Sequence, residues 1–148
     1  MATFIKNRKA HFDFEHLDTF EAGAVLSGFE VKAIRKGMGK LESAYVKLID
    51  GEAWLLGASI SPYQAANTPK DYDPEQARKL LLSKKQLARL ERETTSNRLT
   101  IVPISWYSSA QRIKLKIALA RGKKKQDKRE SLKKRDVKRD IDRTLKSQ

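Results

Sequence analysis

The sequence predicts a mainly β domain over residues 1–120, an OB-like closed antiparallel barrel of about six strands with about three short helices, followed by a basic tail over residues 121–148. Short runs that alternate apolar and polar side chains recur along the first 120 residues, as half-buried strands require. An Asp-Gly pair joins two of these runs, and the strongest helix-start signals are collected between two strand groups instead of following each strand. Closure into a barrel removes the exposed edges that an open sheet of this size would leave. A ferredoxin-like sandwich is the main rival, but it needs helices interspersed among the strands.

The first alternating run is residues 11–16 (HFDFEH), where Phe12 and Phe14 share a face. Residues 17–23 (LDTFEAG) read as a turn or short helix, with Asp18 as N-cap and Gly23 as its stop. Residues 24–34 (AVLSGFEVKAI) alternate again, with Gly28 marking a bulge. The glycine-rich RKGMGK, residues 35–40, is a connection. Residues 45–49 and 53–60 form a hairpin about Asp50-Gly51. Two capping boxes follow, DPEQ at 73–76 with Pro74 at the first helical position and SKKQ at 83–86. The first helix would bury Ala77, Leu80 and Leu81, and the second Leu87 and Leu90 with Ala88 beside them. Arg78, Lys79, Lys84, Lys85, Arg89 and Arg92 would line the outside. Residues 99–107 and 112–120 are two further strands; in the second, Ile113, Leu115, Ile117 and Leu119 share one face and Lys114 and Lys116 the other.

Charge is unevenly distributed. The whole chain carries +14, and residues 121–148 hold thirteen Lys or Arg against five Asp or Glu, so +8 lies in the tail and +6 in the body. The expected partner is a polyanion. A polybasic tail also suits anionic lipid, but no lipidation site or strongly amphipathic helix accompanies the charge, so no membrane partner is expected. The chain has no cysteine, which excludes disulfides, thiol catalysis and Cys-ligated zinc and fits a cytoplasmic protein. The start lacks the apolar run of a secretory signal.

Little suggests catalysis. His11 and His16 fall on opposite faces of the predicted first strand and have no joint metal role. Asp71, Asp73 and Glu75 form an acidic cluster, but Asp73 is accounted for as a cap and Glu75 as a first-turn charge. RKGMGK lacks the GxxxxGK[ST] spacing of a phosphate cradle, although Arg35, Lys36 and Lys40 remain available to a nucleic-acid backbone. No nucleophile is paired with a base, and neither an enzyme, a cofactor nor a metal is expected.

In the tail, Val137, Ile141 and Leu145 make one thin apolar stripe, too narrow to offset an ordering cost of about 1–2 kcal/mol per residue. Pairs such as Glu130 with Lys134 add only a few tenths of a kcal/mol. The tail is expected to be disordered when free and helical on RNA. Blander roles are a solubilising run or a nuclear import signal, which KKKQDKRESLKKR also suits.

Asn7 to Ala10 (NRKA), Glu21 to Gly23 (EAG), Gly28 to Lys32 (GFEVK), Arg35 to Gly37 (RKG), Ser61 to Tyr63 (SPY), Arg78 to Leu82 (RKLLL) and GKKKQDKR after Ala120 together resemble the small protein B family, the SsrA (tmRNA)-binding proteins of bacterial trans-translation. Order and spacing over essentially the whole chain make the resemblance specific. It implies an oligonucleotide-binding barrel that grips the tRNA-like domain of tmRNA and delivers it, with elongation factor Tu, to stalled ribosomes for ribosome rescue and tagging of incomplete peptides. It also implies a tail that enters the empty mRNA path as a helix. A monomer acting by placement is expected.

By this resemblance the tmRNA surface includes Asn7, Arg8, Lys9, Glu21, Leu81 and Lys114, with Glu30, Lys32, Arg35, Lys36 and Lys79 as neighbours. Basic groups would meet phosphates, and Asn7 a base edge or ribose. Glu21 would accept from 2′-hydroxyls or base amines or orient an arginine. Leu81 is open between two roles, an apolar seat for an unstacked base or a core residue of its LLL run. Gly122, Lys123, Lys124, Asp127, Lys128 and Arg129 match the tail elements that meet the ribosome and its rRNA. Gln126 stands where the family commonly has Tyr or His, so a stacking contact worth roughly 1–3 kcal/mol is absent there. A general ribosomal or single-stranded RNA-binding protein is the second reading and an RNA-acting enzyme a distant third.

Overall fold

The computed structural model describes residues 2–64 and 68–122. Among them, the chain order is β1 (Thr3–Lys6), α1 (Arg8–Asp13), β2 (Phe14–Ala24), α2 (Gly28–Arg35), β3 (Gly39–Lys40), β4 (Tyr45–Ile49), β5 (Glu52–Leu56), β6 (Ser59–Ile60), β7 (Arg78–Leu81), α3 (Lys84–Ser96), β8 (Thr100–Ser109) and β9 (Arg112–Gly122). Strands β8, β4, β5, β7, β2 and β9 are hydrogen-bonded in that order, and β9 pairs again with β8. Six strands therefore form a ring, to which β1 adds along β8. The domain is mainly β with three helices, as its sequence predicts, although the helices lie elsewhere than expected apart from α3.

The hairpin β4–β5 follows the sequence closely because alternation and its Asp-Gly turn agree, and the long pair β8–β9 follows it through the apolar pattern of its strands. The expected strand over 53–60 is broken in two at Gly57, whose φ of +76° turns the chain between β5 and β6. In β9, Leu115, Ile117 and Leu119 are buried. They join Ile34, Leu41, Leu55, Ile60, Leu90, Ile101 and Trp106 in the core inside the ring. The β8–β9 turn consists of Ala110 and Gln111, at φ of +51° and +65°. The left-handed region costs a residue with a side chain about 1–2 kcal/mol, so this tip is strained where Asn-Gly would be relaxed.

Four expected elements are corrected. Residues 8–13 form a helix, not the start of a strand, because Asn7 caps it: Asn7 Oδ1 accepts from the Ala10 amide at 3.2 Å. Residues 17–23 belong to β2, which runs against β9 with a bulge between His16 and Asp18. Residues 28–35 are helical, since Glu30 Oε1 reaches back to accept from the amide of Ser27 at 3.0 Å and from its hydroxyl at 2.8 Å. Gly28 is thus the first helical residue and not a bulge.

The fourth correction concerns DPEQ. Asp73 accepts from the Glu75 amide at 2.9 Å, but this cap closes only a turn, and the chain enters β7. Arg78 explains why. It is drawn wholly into the interior, where its guanidinium donates to Glu30 Oε2 at 2.9 Å, Ala58 O at 2.8 Å, Pro74 O at 2.8 Å and the Tyr72 hydroxyl at 3.0 Å. Those four acceptors meet Arg78 from the extended backbone of β7. The extended backbone then points Leu80 inward, 3% exposed, and Leu81 outward, 53% exposed. Helix α3, with Ser83 and Gln86 capping each other reciprocally, buries Leu90 and half-buries Leu87, while Ala88 is exposed.

Alternation along β7 sets an expected outcome. Leu80→Ala should destabilise by about 2–5 kcal/mol in urea unfolding, and Leu81→Ala by no more than about 0.5 kcal/mol. Equal losses would restore the helical reading of residues 77–81.

Candidate nucleic-acid interface

Register fixes the outer face of β2 and β9. Glu21 lies opposite Lys116 and Ala22 opposite Leu115. Ala22 and Leu115 are fully buried, so Glu21, Gly23, Lys114 and Lys116 look the other way. Gly23 pairs with Leu81 of β7. A Cβ on Gly23 would meet Leu81 Cβ at 3.3 Å, so glycine lets Leu81 lie flat against β2.

Beside Leu81 a groove of about 330 Å³ opens between β2, α2, β7 and the β8–β9 tip. Leu26, Val31, Leu81 and Ile113 give it an apolar floor, and Arg35, Arg112 and Lys114 a cationic rim. Arg35 is held in place: its Nη2 donates to Gln111 O at 3.2 Å and its guanidinium lies 5.8 Å from the centre of the Phe4 ring. A flat apolar seat with cations around it suits an unstacked base and its phosphates. Next to it, Glu21, Lys116, Phe20, Ser105 and Tyr107 line a second groove of about 340 Å³. The Tyr107 hydroxyl donates to Glu21; burial first, and then the Glu21 carboxylate, push its pKa far above that of a free tyrosine. Tyr107 thus stays protonated beside Glu21.

Of the residues expected at the interface, Arg35, Leu81 and Lys114 line the first groove and Glu21 the second, and Leu81 is exposed and not part of the core. Lys32 and Lys36 are exposed on α2 and at its C-cap. Arg8 and Lys9 are exposed too, but on α1, at the far end of β2 from Leu81. Lys79 spends its charge on Glu52 at 3.0 Å, a half-exposed pair of small energetic weight.

Two expected contacts are corrected. Asn7 is 3% exposed; besides capping α1, its Nδ2 donates to Leu41 O at 3.1 Å and Pro103 O at 2.8 Å, leaving nothing for a base edge. Glu30 is 2% exposed and serves Arg78. Burial alone would raise its pKa, but hydrogen bonds from Ser27 and the Arg78 charge outweigh burial and hold the carboxyl below the ordinary 4.5. The buried pair in turn fixes α2 and β7, whose Arg35 and Leu81 flank the groove.

Several groove residues escaped sequence reading. Tyr107, Gln111 and Arg112 sit on or near the strained tip, and only the parity of Arg112 with Lys114 and Lys116 signals its side of β9. His11 and His16 are not on opposite faces of one strand; their ring centroids lie 4.8 Å apart, and His16 Nε2 sits 3.1 Å from Ala10 O. Among the described residues, no group of three or more His, Asp or Glu is arranged to hold a metal, and no helix is long and apolar enough to cross a membrane. Gly122 ends β9 opposite Phe14, exposed. Lys123, Lys124, Asp127, Lys128 and Arg129 lie outside the described residues.

The SmpB protein family model matches residues 4–147. The chain belongs to the SmpB family. An SsrA-binding protein of Enterococcus hirae is 49% identical over 142 residues, covering 96% of this chain and 92% of its own. Those of Trichormus variabilis and Pseudomonas entomophila are 45% and 46% identical, over 95% and 98% of this chain and 91% of each relative. A solved structure described as "tmRNA-SmpB: a journey to the center of the bacterial ribosome" superposes at a TM-score of 0.68 with 36% identity, covering 88% of this chain and 95% of that one.

Because Glu30 titrates lower when folded than when unfolded, its contribution to stability is complete above the unfolded pKa and is lost as pH falls through the folded one. Glu30→Gln should cost about 3–5 kcal/mol at pH 7, since it strands the buried Arg78 charge. In urea unfolding the gap to the parent protein should narrow below about pH 4. A constant gap at every pH would remove the ion pair from this role.

Proposed function

We propose that the chain is a non-catalytic RNA-binding protein that grips the tRNA-like domain of tmRNA and delivers it to stalled ribosomes for trans-translation. The observation that carries the proposal is exposed Leu81, seated among Arg35, Arg112 and Lys114 on a chain that belongs to the SmpB family. An apolar side chain held open by a strand, when its neighbour Leu80 is buried, is placed to meet something. The six-strand ring supports reading the body as a closed OB-like barrel, a fold that binds oligonucleotides on its strand faces.

On this reading Leu81 takes an unstacked base and Arg35, Lys114, Lys32 and Lys36 take phosphates. Glu21, steadied by Tyr107, accepts from 2′-hydroxyls or base amines. Arg8 and Lys9 meet a different stretch of RNA, because they stand at the other end of β2. Asn7 and Glu30 act from inside, by fixing α1 and α2. Residues 1–120 form the tmRNA-binding body and residues 121–148 the arm for the ribosome and its rRNA, with Gly122 to Lys124 and Asp127 to Arg129 near the decoding centre. Elongation factor Tu joins through the tmRNA complex. The protein is a cytoplasmic monomer that makes and breaks no bond.

A chain with residues 123–148 deleted should keep tmRNA affinity within about threefold and lose peptide tagging on stalled ribosomes. At about 150 mM salt both proteins should prefer the tRNA-like domain over unstructured RNA of equal length. Parallel loss of affinity and tagging would contradict the division of labour. Lack of preference in the intact protein would replace this function with general RNA binding.

A further inference from the structure

The apolar floor of the groove beside Leu81 suits the face of any base, and its cations suit the phosphate of any nucleotide. A carboxamide, which both donates and accepts, can read the edge of a base without adding to the pull on phosphates. Among the described residues that line the groove, Gln111 alone carries a carboxamide. Its carboxamide makes no hydrogen bond within the described residues, and its backbone carbonyl is held at 3.2 Å by Arg35. Gln111 also occupies a position with φ of +65° in a two-residue turn, next to Ala110 at +51°. Glycine or asparagine serves such a turn better, so stability does not explain a glutamine there.

We propose that Gln111 is a specificity-determining residue, whose carboxamide hydrogen-bonds the edge of the base seated on Leu81 while Arg35, braced against the Gln111 carbonyl and Phe4, takes the adjoining phosphate. The inference rests on the RNA-binding function proposed above and assigns base reading to a position outside the motifs that identify the family. Strain at the hairpin tip is then kept because it sets the glutamine at the rim of the groove.

The test compares intact protein with Gln111→Gly and Gln111→Asn variants of the full chain. Three measurements are made: thermal unfolding, affinity for a synthetic tRNA-like domain, and affinity for unstructured RNA of equal length across a salt series. Gln111→Gly should unfold a few degrees higher, because the turn is relieved. It should bind the tRNA-like domain about tenfold more weakly, with unstructured RNA nearly unaffected and the salt slope unchanged. Gln111→Asn, which keeps the carboxamide and tolerates the turn, should recover part of the loss. If Gln111→Gly keeps the parent's affinity and preference, the inference is overturned while the RNA-binding function stands. If the parent itself shows no preference, that function fails first. A reduced salt slope for Gln111→Gly would also overturn it, by showing that the glutamine acts through phosphate contacts.

Discussion

The buried pair of Glu30 and Arg78 organises the functional end of the molecule. Glu30 ties the start of α2 to Ser27, and Arg78 ties the start of β7 to Glu30, Tyr72 and the carbonyls of Ala58 and Pro74. With both ends of the pair satisfied, α2 and β7 hold fixed places against β2, and a groove forms where they meet the β8–β9 tip. Breaking the pair is costly for the reason that makes it useful: without Glu30 the Arg78 charge is left in the core with neutral acceptors alone.

From that constraint the surface follows. Arg78 points inward from the extended β7, alternation along the strand turns Leu81 out, and glycine at position 23 lets it rest on β2. Parity along β9 then brings Lys114 and Lys116 to the same side as Glu21. The cations at the groove and those elsewhere on the body differ in freedom. Arg35 is braced by Gln111 and Phe4, whereas Lys79 and Arg89 are engaged by Glu52 and Asp18. Positive charge is abundant in the chain, but only part of it is open to a polyanion near Leu81.

Elements whose local signals agree were legible in the sequence. Strands β4 and β5 combine alternation with an Asp-Gly turn, β9 alternates strictly enough to need no turn signal, and α3 combines a capping box with an apolar stripe. Helix α2 was hidden because Phe29, Val31 and Ala33 alternate as a strand would, although Ser27 and Glu30 carried a capping signal of the same kind as SKKQ. Strand β7 was hidden by a true cap at Asp73 and by a partner for Arg78 that lies 48 residues away. Asn7 shows the same limit: its motif marks it as important, but only the fold reveals that its amide is spent on Leu41 and Pro103, 34 and 96 residues along the chain. The motifs identified the family; which motif residues touch a partner and which hold the frame was decided by distant contacts.

The central claim is that RNA meets the outward face around Leu81 while Leu80, one residue before it, stays in the core. Methyl-labelled leucine NMR during titration with the tRNA-like domain tests this most directly. Large shifts or broadening should appear at the Leu81 methyls, with Leu80 and Leu90 nearly unchanged. Shifts confined to residues around α1, with Leu81 silent at saturating RNA, would contradict the claim.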